Sequence, residues 1–157
     1  MSLDQLKKTF LVRLWAFFNV PMLGWVRPKV IQMDDEKVEI AIPLSRRTKN
    51  HLKSMYFGTL AVGADIAAGV TLLNEITKSK SKFSFAFKAV KGEFLKRAEC
   101  TTHFVCTSPS DVATLMRKAE QSGVREELPV KVTAYTPKKL GDTPVAEFEL
   151  LLSLKKK

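Results

Sequence analysis

Three residues near the middle of the chain, Asn50, Gly58 and Asp65, have the types and the spacing for carbonyl chemistry. The pattern Asn-x7-Gly-x6-Asp puts Gly58 and Asp65 on one helix face, about 10 Å apart along the axis. Gly58 falls in the first turn, where backbone N–H groups lack intrahelical partners and the dipole is positive. Such amides hold a carbonyl oxygen and stabilise the oxyanion it becomes. Lack of a Cβ lets a substrate approach them. Asp65 would then be a base or a nucleophile, and Asn50 would orient water or the acyl carbonyl. Each residue also has a structural reading. Asp65 would pair with a basic residue across a dimer, and Asn50 would cap the approach to the helix through its side chain.

The helix that must position them is Met55 to Asn74, an apolar stretch whose single carboxylate is Asp65. Its length suits a bilayer span. A carboxylate at the bilayer centre costs about 2.5–3.5 kcal/mol, which argues against that reading. The stretch instead predicts a helix from about Tyr56 to Thr77, buried on most sides of a folded domain. Gly58, Gly63 and Gly69 each cost about 1 kcal/mol against Ala in a helix interior. Together with Ala61, Ala64, Ala67 and Ala68 they make a thin helix around which a sheet closes.

The flanking segments predict that sheet. Val30 to Met33 and Lys37 to Ile42 read as strands joined by a turn at Asp34-Asp35. Leu44 to Ser54 is a basic loop with Arg46, Arg47, Lys49 and Lys53. Phe83 to Val90 reads as a strand with Phe83, Phe85, Phe87 and Ala89 on one face, broken by Gly92. Ala98 to Thr107 reads as another, Ser110 to Ser122 as a short amphipathic helix stopped by Gly123, and Val130 to Tyr135 and Val145 to Leu154 as the last two strands. The order predicts an α+β domain with an antiparallel sheet packed on one central helix.

The 157 residues suit a single domain, with residues 1–28 as a helical extension and 29–157 as the core. The net charge of +10 and a pI near 9.7 favour anionic partners. Cys100 and Cys106, six apart on one strand, lie about 20 Å apart. They cannot bridge, which fits a reducing cytoplasm. His103 points to the other face of that strand, so no metal site is expected. Near the N-terminus, Arg13 and Asp4 and the lack of a small-x-small site argue against a signal peptide. An interfacial membrane helix is one reading. The other is a helix, Leu3 to Asn19, that packs Leu6, Phe10, Leu14 and Phe17 onto the domain.

The run Asn50-His-Leu-Lys-Ser-Met-Tyr-Phe-Gly-Thr-Leu-Ala-Val-Gly-Ala-Asp65 resembles the signature of hotdog-fold acyl-CoA thioesterases of the phenylacetate-pathway type. In that family an Asn precedes a His-Gly-Gly turn and an acid follows on the central helix; Asn50, Gly58 and Asp65 match by position. Phe94-Leu-Lys-Arg-Ala98 is similar to the family's aromatic-apolar-x-Pro-Ala strand. The segments Arg47 to His51 and Met55 to Gly58 resemble an uncharacterised thioesterase-like branch of the same superfamily. Tyr56 and Phe57 stand where the family has His and Gly, and Arg97 where it has Pro. The resemblance implies a hotdog fold, a sheet wrapped around a long helix, here with an extra N-terminal helix. It implies hydrolysis of an acyl thioester with catalytic Asp65, Asn50 and Gly58. Tyr56, Phe57, Arg46, Arg47, Lys96 and Arg97 would bind substrate, the basic residues through the phosphates of coenzyme A, which is part of the substrate and not a resident cofactor. It also implies a homodimer or a dimer of dimers.

A non-catalytic acyl-CoA binder on the same fold is the alternative. Under either function Arg46 and Arg47 also read as a solvated loop, Tyr56 as helix-start packing and His51 as structural. A nucleic-acid partner has only net charge in its favour, because the alternating phenylalanines read as core.

Overall fold

The computed structural model describes residues 2–79 and 81–157. Helices α1 (Leu3–Asn19) and α2 (Pro21–Trp25) precede the hairpin β1 (Lys29–Met33) and β2 (Val38–Ile42). The long helix α3 (Phe57–Ser79) follows, then β3 (Phe83–Phe94), β4 (Thr102–Cys106), α4 (Pro109–Ser122), β5 (Glu126–Tyr135), α5 (Pro137–Leu140) and β6 (Pro144–Lys156). The strands form one antiparallel sheet in the order β1-β2-β4-β5-β6-β3. The sheet closes around α3, which touches β2, β3, β4, β5 and β6. This is the hotdog arrangement the sequence predicts. Alone among the described helices, α3 is long and apolar enough to cross a membrane, and more than half of its most apolar stretch is buried inside the fold.

Close approach of α3 to the sheet depends on Gly63. A Cβ there would stand 2.3–2.5 Å from three ring carbons of Phe104 on β4. Phe104 is fully buried among Ile40, Ile42, Val132 and Leu152 and has no room to yield. The β1–β2 turn forms because the Asp34 carboxylate accepts the N–H groups of Glu36 and Lys37, both at 3.0 Å. Gly123, in the left-handed conformation at φ 67°, terminates α4.

Several expectations are corrected. β3 continues through Gly92 to Phe94, because all its residues but the bulged Lys88 pair along β6 and the Phe148 ring packs where a Gly92 side chain would stand. A bulge between Phe87 and Ala89 removes Ala89 from the inward face. Leu95 to Ala98 is a connection and not a strand. Cys100 lies before β4, and buried Cys106 closes it; both thiols are free. Pro21 ends α1 but also starts α2, at a first helical position that needs no N–H.

The largest correction concerns α1. Its span agrees with expectation, and Ser2 and Gln5 close a reciprocal capping box at its start. Its orientation is the reverse of the expected one. Leu6, Phe10, Leu14 and Phe17 face outward, Phe10 being 63% and Phe17 68% exposed. The polar side faces the domain instead. Gln5 donates to the Ile31 carbonyl at 2.6 Å, Thr9 accepts the Val30 N–H at 2.9 Å, and Arg13 donates to the Pro28 carbonyl at 2.8 Å. β1 is an edge strand with unpaired backbone groups, and satisfying them fixes which side of α1 turns inward.

Candidate functional site

Most of the residues singled out by sequence line two hollows beside α3; Gly58, Arg46 and Arg47 line neither. One is a groove of about 570 Å³ at the start of α3. The 43–56 loop positions its rim. Thr48 Oγ1 donates to the Pro43 carbonyl and accepts the Ser45 N–H, both at 2.8 Å. Met55 N–H donates to the Ala98 carbonyl and Tyr56 N–H to the Thr48 carbonyl, both again at 2.8 Å. These bonds deliver the chain into α3 at Phe57, whose first-turn amides point past the end of the helix. Asn50, Tyr56, Phe57, Phe94, Lys96 and Arg97 line the groove, with His51 at its edge.

Asn50 is already engaged there. Its Oδ1 accepts the N–H groups of Leu52 at 2.9 Å and Ser54 at 3.2 Å, and its Nδ2 donates to Ser54 Oγ at 3.1 Å. One amide hydrogen of Asn50 is left for a ligand. The Tyr56 ring folds over Gly58, with Cε1 only 2.5 Å from where a Gly58 Cβ would stand. Tyr56 is about half exposed and stacks against Phe57, so it has space to swing away. Phe57 and Phe94 are exposed, edge to face at 6.1 Å, beside Lys96 and Arg97, unlike Phe83, Phe85 and Phe87, which turn toward the core.

Asp65 lies elsewhere, in the wall of a cavity of about 520 Å³ between α3, α1 and the start of β3. Leu11, Val12 and Trp15 roof it, Phe85 and Phe87 floor it, and Gly69 opposes no atom within 4 Å. Asp65 and Gly69, one helical turn apart, share this face. Burial pushes the Asp65 carboxyl above its ordinary value, and among the described residues no neighbouring charge or hydrogen bond offsets the shift. One chain therefore gathers Asn50, Tyr56, Phe57, Lys96 and Arg97 at the groove but leaves Asp65 in the cavity. Arg46 and Arg47 line neither hollow, and the Arg47 guanidinium lies 4.6 Å over the Trp25 ring. His103 bonds Glu39 at 2.7 Å on the outer face of the sheet, away from both.

A family model described as a domain of unknown function, DUF4442, matches residues 8–150. The chain belongs to the DUF4442 family. No curated protein matches it by sequence. Among solved structures, a protein of unknown function from Chlorobaculum tepidum superposes with a TM-score of 0.82 at 12% identity, over 98% of this chain and 97% of its own. A Pseudomonas aeruginosa protein of unknown function, carrying the words "probable thioesterase", gives 0.78 at 19% identity over 95% and 96%. A mutant thioesterase of the same organism gives 0.66 at 10% identity over 95% and 94%. At these identities the likeness establishes a shared fold.

Two features of the candidate site are not legible in the sequence. Gly69 was legible only as a helix residue, yet it keeps the cavity open. The cavity roof comes from α1, which the sequence shows as an apolar helix without showing which residues turn inward.

Proposed function

We propose that this DUF4442 protein is an acyl-thioester hydrolase of the acyl-CoA thioesterase type, with affinity to the phenylacetate-pathway branch, whose two hollows are joined by a second copy of the chain. The observation that carries the reading is Asp65: a carboxylate with a raised pKa, without a partner among the described residues, in the wall of an apolar cavity. Such a group is poised as a base and sits beside a chamber suited to an acyl chain. The fold shared with thioesterases supports it.

The step needs the carbonyl carbon near both the Gly58 amide and a base. On one helix the two positions are about 10 Å apart. β3, a twelve-residue strand, forms an open edge of the sheet. An open edge of that length pairs readily with another strand. A two-fold partner along it would bring Asp65 of one copy toward the helix start of the other. The Gly58 N–H then holds the thioester oxygen, with the free Asn50 amide hydrogen beside it. Asp65 takes a proton from water as the water oxygen bonds to the carbonyl carbon. Collapse of the tetrahedral adduct breaks the C–S bond, and the proton passes from Asp65 to the departing thiolate. The products are a carboxylic acid and a thiol.

Coenzyme A fits the groove chemistry. Lys96 and Arg97 would meet phosphates, with Arg46 and Arg47 on the neighbouring loop. Phe57 and Phe94 offer ring faces to the adenine. A non-catalytic acyl-CoA binder is the second reading, favoured by the Tyr56 ring that covers Gly58. A panel of acyl-CoA thioesters separates the two. Hydrolysis is expected for the wild type, and Asp65→Asn should lower it by about 10²-fold or more while coenzyme A affinity stays. Equal rates in both proteins would remove Asp65 from catalysis.

A further inference from the structure

The outward face of α1 has no role in the hydrolase described above. Leu3, Leu6, Phe10, Leu14 and Phe17 form a stripe along it, continued by Phe18, Met22 and Trp25 at the α1–α2 corner, and each of these is well exposed. The stripe is not a leftover of helix packing, because the polar side of α1 is what holds it to β1. A contiguous apolar surface of this kind marks a contact with something apolar.

Charge indicates what that is. The surface made by α1, α2, the entry to β1 and the 43–56 loop carries Lys7, Lys8, Arg13, Arg27, Lys29, Arg46, Arg47, Lys49 and Lys53 against Asp4 alone. Of these cations all but Lys8 and Arg13 are well exposed. Arg47 lies directly over Trp25, so the basic loop abuts the apolar corner. A two-fold contact through this face would bring two such cationic surfaces together, which like-charge repulsion opposes. A surface of anionic headgroups over hydrocarbon matches both features at once: aromatic and aliphatic side chains enter the acyl boundary while lysine and arginine stay at the headgroups.

We propose that α1 and α2 dock this protein on an anionic lipid bilayer, with α1 lying in the plane of the interface. Leu11, Trp15 and Val20 line the cavity and are also exposed beside the stripe, so docking would turn the cavity mouth toward the acyl-chain region. The docking does not depend on the hydrolase reading, because the stripe residues line neither hollow and have no part in substrate binding.

The test is cosedimentation of the full chain with vesicles of equal parts phosphatidylglycerol and phosphatidylcholine, and with pure phosphatidylcholine, at about 0.1 M salt. The wild type is expected to bind the anionic vesicles roughly tenfold or more tightly than the zwitterionic ones. Lipids brominated on the acyl chain should quench its tryptophan fluorescence. Phe10→Ser/Phe17→Ser should weaken anionic-vesicle binding about tenfold or more without lowering the melting temperature, because both rings are exposed. Failure of the wild type to bind anionic vesicles would overturn the proposal, as would unchanged binding by the double variant. So would a lipid-free wild-type dimer that the double variant converts to monomer, since the stripe would then belong to a second copy.

Discussion

A Cβ added at Gly63 would stand 2.3–2.5 Å from the Phe104 ring, whereas one added at Gly69 would meet nothing within 4 Å. The two glycines lie on the same helix, less than two turns apart, and each forgoes about 1 kcal/mol of helix propensity. On the Gly63 side that sacrifice lets α3 settle against β4 and fill a dry core. On the Gly69 side it gains no packing and leaves a cavity open beside Asp65. Contact explains the first glycine; no contact requires the second. One residue type at two points of one helix thus separates a close-packed side of the domain from a side that lines a cavity.

Substitutions at these positions can break or sharpen the contrast. The largest stability effect is expected from Gly63→Ala. Phe104 cannot retreat, so overpacking should cost about 1–3 kcal/mol, read as a lower denaturant midpoint with an unchanged m-value. Gly69→Ala should instead raise stability by about 1 kcal/mol. If the two alanines shift stability in the same direction, the contrast fails. Gly69→Leu sharpens it on the functional side. Filling the cavity should reduce turnover of long-chain thioesters roughly tenfold or more and spare short ones.

The smallest stability effect is expected from Asp65→Asn, and its sign is informative. Burial raises the folded-state pKa of Asp65 above the unfolded value. Between those two values the folded state binds more protons, so stability falls as pH rises through the folded pKa. Asn cannot ionise. The variant should therefore be more stable than the wild type at neutral pH, and the difference should vanish below the ordinary carboxylate range. Loss of stability at neutral pH would mean that Asp65 has a stabilising partner.

Much of this organisation was legible in the sequence. The near-absence of charge from Met55 to Asn74 identified the central helix, and the alternation in Lys37 to Ile42 identified a half-buried strand, because burial leaves a periodic trace. The orientation of α1 was not legible. Periodicity reveals an apolar stripe but not what lies opposite it, and here hydrogen bonds from Gln5, Thr9 and Arg13 to an edge strand outweigh burial of the stripe. The length of β3 was hidden for a similar reason. Gly92 reads as a break until Phe148, more than fifty residues later, supplies the ring that packs on it. At the site, Asn50, Gly58 and Asp65 could be selected by type and spacing. Their division between two hollows could not, because it depends on where α1 and the 43–56 loop come to rest.

That division is also the point on which the functional account stands or falls. The account requires Asp65 from one copy to act with Gly58 and Asn50 from another. The most direct measurement is thioester turnover by heterodimers of an Asn50→Ala/Gly58→Val chain and an Asp65→Asn chain, each inactive alone. A mixed dimer holds one intact site out of two, so turnover should return to about half the wild-type rate per dimer. Inactive heterodimers, verified as folded and paired beside active wild-type controls, would contradict a shared site.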